Sequence, residues 1–249
     1  MTATRAGIAG TLAALVIAAG CVRLGIWQLD RLEQRRSRNT VIETRLAAPV
    51  TPARTAFGDT VAAEYTRVSV AGSPDEARSM VIAARYRRGA PGVHVMTPVH
   101  LEGGGVIMLD RGWVPAPDAA TIDLARVPPL QADTVIGLVR RFAEAEPVRP
   151  AVDTLSARRQ RVLYRVSQEA VEALLPYAVL PLYVQALPGG GSGEIPIPAD
   201  PPELTQGPHL GYAIQWFSFA AIAIIGWAVL VWRSGGRRAG PERTAADVS

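Results

Sequence analysis

Lysine is missing from this chain altogether: all 26 of its basic residues are arginines. Together with abundant alanine, this resembles the codon bias of a GC-rich bacterial genome. It does not resemble a nucleic-acid footprint. The arginines are dispersed, the net charge is only +4, and no nucleic-acid-binding motif accompanies them, so nucleic acid is excluded as a partner. Cysteine is nearly absent as well. The single Cys21 lies inside an apolar run, which rules out an internal disulfide even in an oxidising compartment. Cysteine-rich copper or zinc centres are excluded with it.

Histidine is scarce, with only His94, His100 and His209. A nucleophilic triad needs an activated Ser or Cys beside a His base, and no Gly-x-Ser-x-Gly precedes a helix here. Gly103-Gly104-Gly105 lacks the Lys-Ser/Thr end of a phosphate loop and reads as a hairpin turn. His94 and His100, six apart in an expected strand, could share a face; a metal pair is the lesser reading, since the two ends of that strand lie about 20 Å apart. A hydrolase using Asp110 and Asp118 requires the two carboxylates to converge in a pocket. The expectation is that this protein is not an enzyme.

What the chain does have is apolar length. Leu210 to Trp232 carries no formal charge over 23 residues, roughly 34 Å as a helix and enough to cross a bilayer core. Near the other end, Gly7 to Val22 is apolar, Arg23 interrupts, and Leu24-Gly25-Ile26-Trp27-Gln28-Leu29 resumes the pattern. With Arg23 snorkelling toward an interface, 7–29 makes a first span, and Trp27 sits in the interfacial aromatic belt. A cleaved signal peptide (Arg5, then Ile8 to Ala19) or a lipoprotein signal ending Ala18-Ala19-Gly20-Cys21 competes with this. The chain after Cys21 stays apolar and amphipathic, which favours the retained helix.

Arg233, Arg237, Arg238 and Arg243 follow the second span, whereas Glu194, Asp200 and Glu203 precede it without a base. The positive-inside rule places both termini in the cytoplasm and the middle outside. Arg31, Arg35, Arg36 and Arg38 after the first span run against this, but they open a segment longer than the loops the rule governs.

The middle, 30–208, reads as one β-rich domain. Tyr65–Val70 and Arg161–Val166 alternate, Met80–Tyr86, Val93–Val99 and Val106–Leu109 form an antiparallel meander, and Thr134–Val139 and Leu182–Ala186 add strands. Ser167 caps a helix running toward Pro176, and Arg31–Leu46 continues the first helix. The segment 189–202 is a Gly/Pro linker, and 233–249 reads as a disordered cytoplasmic tail. The expected fold class is thus two transmembrane helices bracketing an antiparallel β-rich α+β periplasmic domain.

His209 heads the second span with Tyr212, Ala213 and Trp216 at i+3, i+4 and i+7, one helical stripe at the outer membrane surface. An imidazole there can ligate a haem iron while Arg23 or Arg31 pairs with the propionates. It serves equally as an interfacial polar anchor beside a Tyr/Trp belt. On the residues alone both readings stand.

Four segments carry a family resemblance. Leu24-Gly25-Ile26-Trp27-Gln28-Leu29-Asp30-Arg31 and Gly92-Val93-His94-Val95-Met96-Thr97-Pro98-Val99 are the first two. Val106-Ile107-Met108-Leu109-Asp110-Arg111-Gly112-Trp113-Val114-Pro115 is the third and His209-Leu210-Gly211-Tyr212-Ala213-Ile214-Gln215-Trp216-Phe217 the fourth. In this order, between two spans, they resemble the Surfeit locus protein 1 family of cytochrome c oxidase assembly factors. Asp110, Pro208 and Gln215 depart from its usual Asn, Asn and Thr.

The resemblance implies a non-enzymatic role in maturing the haem a-containing catalytic subunit of the oxidase, alongside other assembly factors, in a bacterial inner membrane. It implies transient haem a binding with His209 as axial ligand, and makes Arg111 and Trp113 candidates for partner or propionate contact. For these two, structural duty at a strand end is the competing reading. For the whole chain the competing reading is a membrane-tethered periplasmic scaffold that stabilises an oxidase subunit and never touches haem.

Overall fold

The computed structural model describes residues 2–57, 64–130, 133–144, 161–189 and 195–236. In chain order its elements begin with α1 (Thr2–Ala47), β1 (Thr51–Pro52), β2 (Arg67–Pro74), β3 (Met80–Arg87) and β4 (Ala90–Leu101). They continue with β5 (Val106–Pro115), β6 (Thr134–Arg141), β7 (Val162–Leu163), α2 (Gln168–Glu172), β8 (Leu182–Ala186) and α3 (His209–Gly236). Two compact units result, one of residues 1–41 with 204–249 and one of residues 42–203.

The first unit is a helix pair, each helix long and apolar enough to cross a membrane. The first proline of the chain is Pro49, so nothing halts α1 at the end of its apolar run, and it continues past Leu29 to Ala47. Pro208 sits just ahead of α3, its carbonyl accepting from the Tyr212 N–H at 3.1 Å. The tail expected from residue 233 begins inside α3, which runs to Gly236; residues 237–249 lie outside the described residues. Small residues let the helices meet. A Cβ on Gly10 would stand 2.0 Å from the Trp227 ring, and one on Gly25 would stand 2.7 Å from the Phe217 ring. Trp227 Nε1 donates to Thr11 Oγ1 at 3.0 Å. Beyond the apolar stretch, Arg35 and Asn39 both donate to the Thr205 carbonyl at 3.1 Å. Gly10→Val is expected to part the helices around Trp227 and cost about 2 kcal/mol. A fall in the thermal midpoint of the detergent-solubilised chain, absent in Gly20→Val where nothing lies within 4 Å, checks this.

In the second unit, β3, β4 and β5 form the expected meander, with turns at Arg88-Gly89 and Glu102–Gly105. The sheet runs β1-β2-β6-β8-β5-β4-β3-β7, and an added β2–β4 pairing closes β2, β6, β8, β5 and β4 into a ring. Inside it pack Val68 and Val70, Val99 and Leu101, Ile107 and Leu109, Val135 and Val139, and Val184. Each pair is two apart, as one face of a strand requires, except Val135 and Val139, which are four apart. A second cluster, Met80, Ile82, Met96 and Met108, is covered by Val171 of α2.

The expectation of an antiparallel sheet is corrected: the sheet is mixed. β1–β2, β3–β7 and β5–β8 are parallel pairs. Alternation fixes which residues share a face and leaves the direction of the neighbour open. β8 reaches β5 only after a long crossover, as parallel pairing demands. The strand expected over Arg161–Val166 shrinks to Val162–Leu163, because Ser167 already caps α2 by accepting from the Ala170 N–H at 3.3 Å. Of the segment expected as a linker, residues 190–194 lie outside the described residues, and residues 195–202 are held down, with Ile197 bridging Trp113 and Asp200 paired to Arg87 at 3.4 Å.

Candidate functional site

His209 opens α3, half-buried, and its Nδ1 lies 3.0 Å from Gln28 Oε1 on α1. A carbonyl oxygen only accepts, so Nδ1 carries the proton and Nε2 keeps its lone pair. Among the described residues Nε2 makes no hydrogen bond. It faces Gly207, whose φ of +69° turns the chain into the helix and whose missing Cβ would stand 3.4 Å from Nε2. This is the arrangement that orients a ligating histidine, one ring nitrogen held by a carbonyl and the other presented. Gln28 sits in the first motif, but its partner is 181 residues away. The available signal was an uncharged polar side chain ending an apolar span.

Around it, Tyr212 is 47% exposed, Ala213 is buried, and Trp216 is half-buried with its ring edge-on to Phe219. The arginines separate. At about 100° per residue, Arg31 lies about 60° from Gln28 around α1 and Arg23 about 140°. The structure therefore does not bring Arg23 to the face that holds His209. Arg31 sets its guanidinium over the Trp27 ring at 5.5 Å and donates to Gln34 Oε1 at 2.9 Å.

In the β-unit, Arg111 is 6% exposed and Trp113 8%. Arg111 pairs with Glu76 Oε2 at 3.0 Å and donates to the Pro128 carbonyl. Burial pushes its guanidinium below the ordinary value, opposed by the Glu76 carboxylate. Glu76 Oε1 also accepts from the Leu130 N–H at 2.7 Å, so this pair pins the 124–130 loop. Trp113 Nε1 donates to the Arg85 carbonyl at 3.3 Å, and a Cβ on Gly92 would stand 2.3 Å from that nitrogen. The polar groups of both candidates are engaged within the chain, which is the structural duty weighed against partner contact. A cavity of about 440 Å³ is lined by Arg111 together with Glu76, Ser79 and Arg161.

The remaining histidines have separate partners. His94 Nδ1 meets the Asp110 carboxylate at 2.9 Å, and His100 stands edge-on to Tyr177 at 5.0 Å. Asp110 also accepts from the Gly112 N–H at 3.0 Å. Asp118 is held down to about 2, first by the Thr121 hydroxyl and then by the Thr121 and Ala120 N–H groups. The two carboxylates of the hydrolase reading thus serve different partners, with the remainder of β5, about 17 Å of extended chain, between Asp110 and the turn that holds Asp118.

The four motifs make two contact pairs. The first and fourth meet through Gly25–Phe217 and Gln28–His209. The second and third are β4 and β5, with Gly92 opposite Pro115 and His94 opposite Trp113. Fold and site together define a class, a closed β-domain flanked in chain order by two helices of membrane-spanning length, the second headed by a presented imidazole.

The sequence profile of the SURF1 family matches residues 15–221. The chain belongs to the SURF1 family, known generally as cytochrome oxidase assembly factors. It is 29% identical to a SURF1-like protein of Mycobacterium tuberculosis over 213 residues, 82% of this chain and 74% of the relative. It is 28% identical to a SURF1-like protein of Monosiga brevicollis, covering 89% and 88%. Surfeit locus protein 1 of Mus musculus is 27% identical, covering 86% and 72%.

Proposed function

We propose that this chain assists haem a insertion or retention in the catalytic subunit of a haem-copper cytochrome c oxidase, acting without catalysis of its own. The observation that carries the reading is the Gln28–His209 contact, which leaves Nε2 as a lone-pair donor at the head of α3. The residues fit a haem: His209 Nε2 would supply one nitrogen ligand to its iron, and Tyr212 and Trp216 would offer aromatic surface at the apolar boundary. Arg31 is the propionate partner better placed on α1. The haem would be cargo, its iron an electron-pair acceptor that a single imidazole can hold and release.

The arginines after α3 support an orientation with both termini in the cytoplasm and the β-domain in the periplasm of a bacterial inner membrane. The partners in this reading are the oxidase catalytic subunit, other assembly factors and membrane lipid.

The test is the haem a content of the full chain purified from cells that make haem a. Stoichiometric or near-stoichiometric haem supports the reading. Protein that emerges haem-free from such cells favours the scaffold alternative, in which the β-domain steadies an oxidase subunit by contact alone. Gln28→Ala is expected to weaken haem retention about tenfold, since the imidazole loses the carbonyl that fixes its tautomer. Unchanged retention would mean that Gln28 joins the helices and does nothing more.

A further inference from the structure

Beside the face of α1 that meets α3 runs a stripe of which haem delivery uses only Arg31. Gly25 and Gln28 face α3, while Arg23, Trp27 and Arg31 recur every fourth residue on another side, all exposed. Arg23 lies within the apolar span and has no hydrogen bond or ion pair among the described residues. Such a guanidinium gains by lifting toward the interface, about one helical turn, to the level of Trp27. Arg31 already reaches back to that level, its guanidinium over the Trp27 ring at 5.5 Å. Asp30, on the same face, makes no ion pair among the described residues, so neither charge is neutralised from within the helix.

We propose that Arg23, Trp27 and Arg31 form a binding site for the phosphate of an anionic phospholipid. Arg31 stands at the Trp27 level and Arg23, one turn below on the same side, reaches that level by snorkelling, where an aromatic belt marks the headgroup layer; planar arginine forks suit phosphate oxygens. Trp27 holds Arg31 in place by stacking and packs against the glycerol region. The occupant is a lipid and not a free phosphate because Arg23 lies in the apolar run, where only a membrane-embedded headgroup comes within reach. The site also gives Arg31 a reason to follow the first span against the usual charge bias, while Arg35 and Arg36 donate to Thr205 and Gln206 ahead of α3. This inference rests on the membrane-spanning reading of α1.

The experiment places the full chain in phosphatidylcholine vesicles containing a trace of spin-labelled phosphatidylglycerol or spin-labelled phosphatidylcholine. It compares the motionally restricted fraction of each label. The expected result is a clear preference for phosphatidylglycerol that falls about fivefold in Arg23→Gln and again in Arg31→Gln. Arg126→Gln, a change at an exposed arginine of the β-unit, leaves it intact. Equal restriction of the two labels overturns the proposal, as does an equal fall in Arg126→Gln, which would make the preference one of net charge. No restricted component for either label shows instead that α1 does not sit in the bilayer, and the spanning reading falls with it.

Discussion

Gly112→Ala is expected to lower the thermal midpoint of the β-domain by about 12 °C, equivalent to about 4 kcal/mol for a unit of this size. Gly112 has a φ of +120°, a conformation that costs an L side chain about 1–3 kcal/mol. Its added Cβ would lie 2.1 Å from the Ile197 carbonyl oxygen and 2.8 Å from Pro198 Cα. Those atoms are close because two backbone bonds hold them there, Trp113 N–H to Ile197 O at 2.7 Å and Ile197 N–H to Trp113 O at 2.8 Å. A methyl group must push the 195–198 segment off β5, breaking both bonds and uncovering Trp113. Gly104→Ala separates strain from collision: φ is +103° there too, but nothing lies within 4 Å. Far-ultraviolet dichroism with tryptophan fluorescence reads both variants in detergent. Equal shifts for the two would show that the close approach of Ile197 contributes nothing.

His209→Ala is expected to reduce the haem a recovered with the purified chain at least tenfold while leaving the thermal midpoint of the β-domain in place. The imidazole is the one histidine of unit 1, and its Nε2 is the nitrogen left unbonded by the Gln28 contact. Losing that contact costs the helix pair only about 1 kcal/mol, and Gly10–Trp227 and Gly25–Phe217 continue to join α1 and α3. Loss of haem together with loss of the helix pair would give a structural explanation. Loss of haem with the pair intact identifies the ligand. Retention of haem in His209→Ala removes the ligand assignment and leaves the assembly role to be argued from the family alone.

Much of the β-domain was legible because turn residues bound its strands. Arg88-Gly89 and Glu102–Gly105 delimit β4, and the alternation of Val68 and Val70 or Leu182 and Val184 marks their inward faces. Ring closure was not legible, since it depends on a short pairing of Gly72–Pro74 with Val99–Leu101. Nor was the two-residue strand β1, which is too short to alternate, or the parallel placement of β7 and β8, which no local pattern encodes. At the site, His209 stood out by its position at the mouth of an apolar run. Gln28 did not, because its role exists only once two distant helices pair. Arg23 could have been separated from that face by counting 100° per residue from Gln28. Arg111 and Trp113 looked available as a charged and an aromatic residue, and burial shows them committed to Glu76 and Arg85.

The most direct measurement is a reduced-minus-oxidised spectrum of membranes from a strain lacking this gene, beside its parent and the same strain carrying the intact chain. The account predicts selective loss or distortion of the a-type haem signal, with b and c haems intact, and its return on complementation. An unchanged a-type signal in the deletion strain would contradict it.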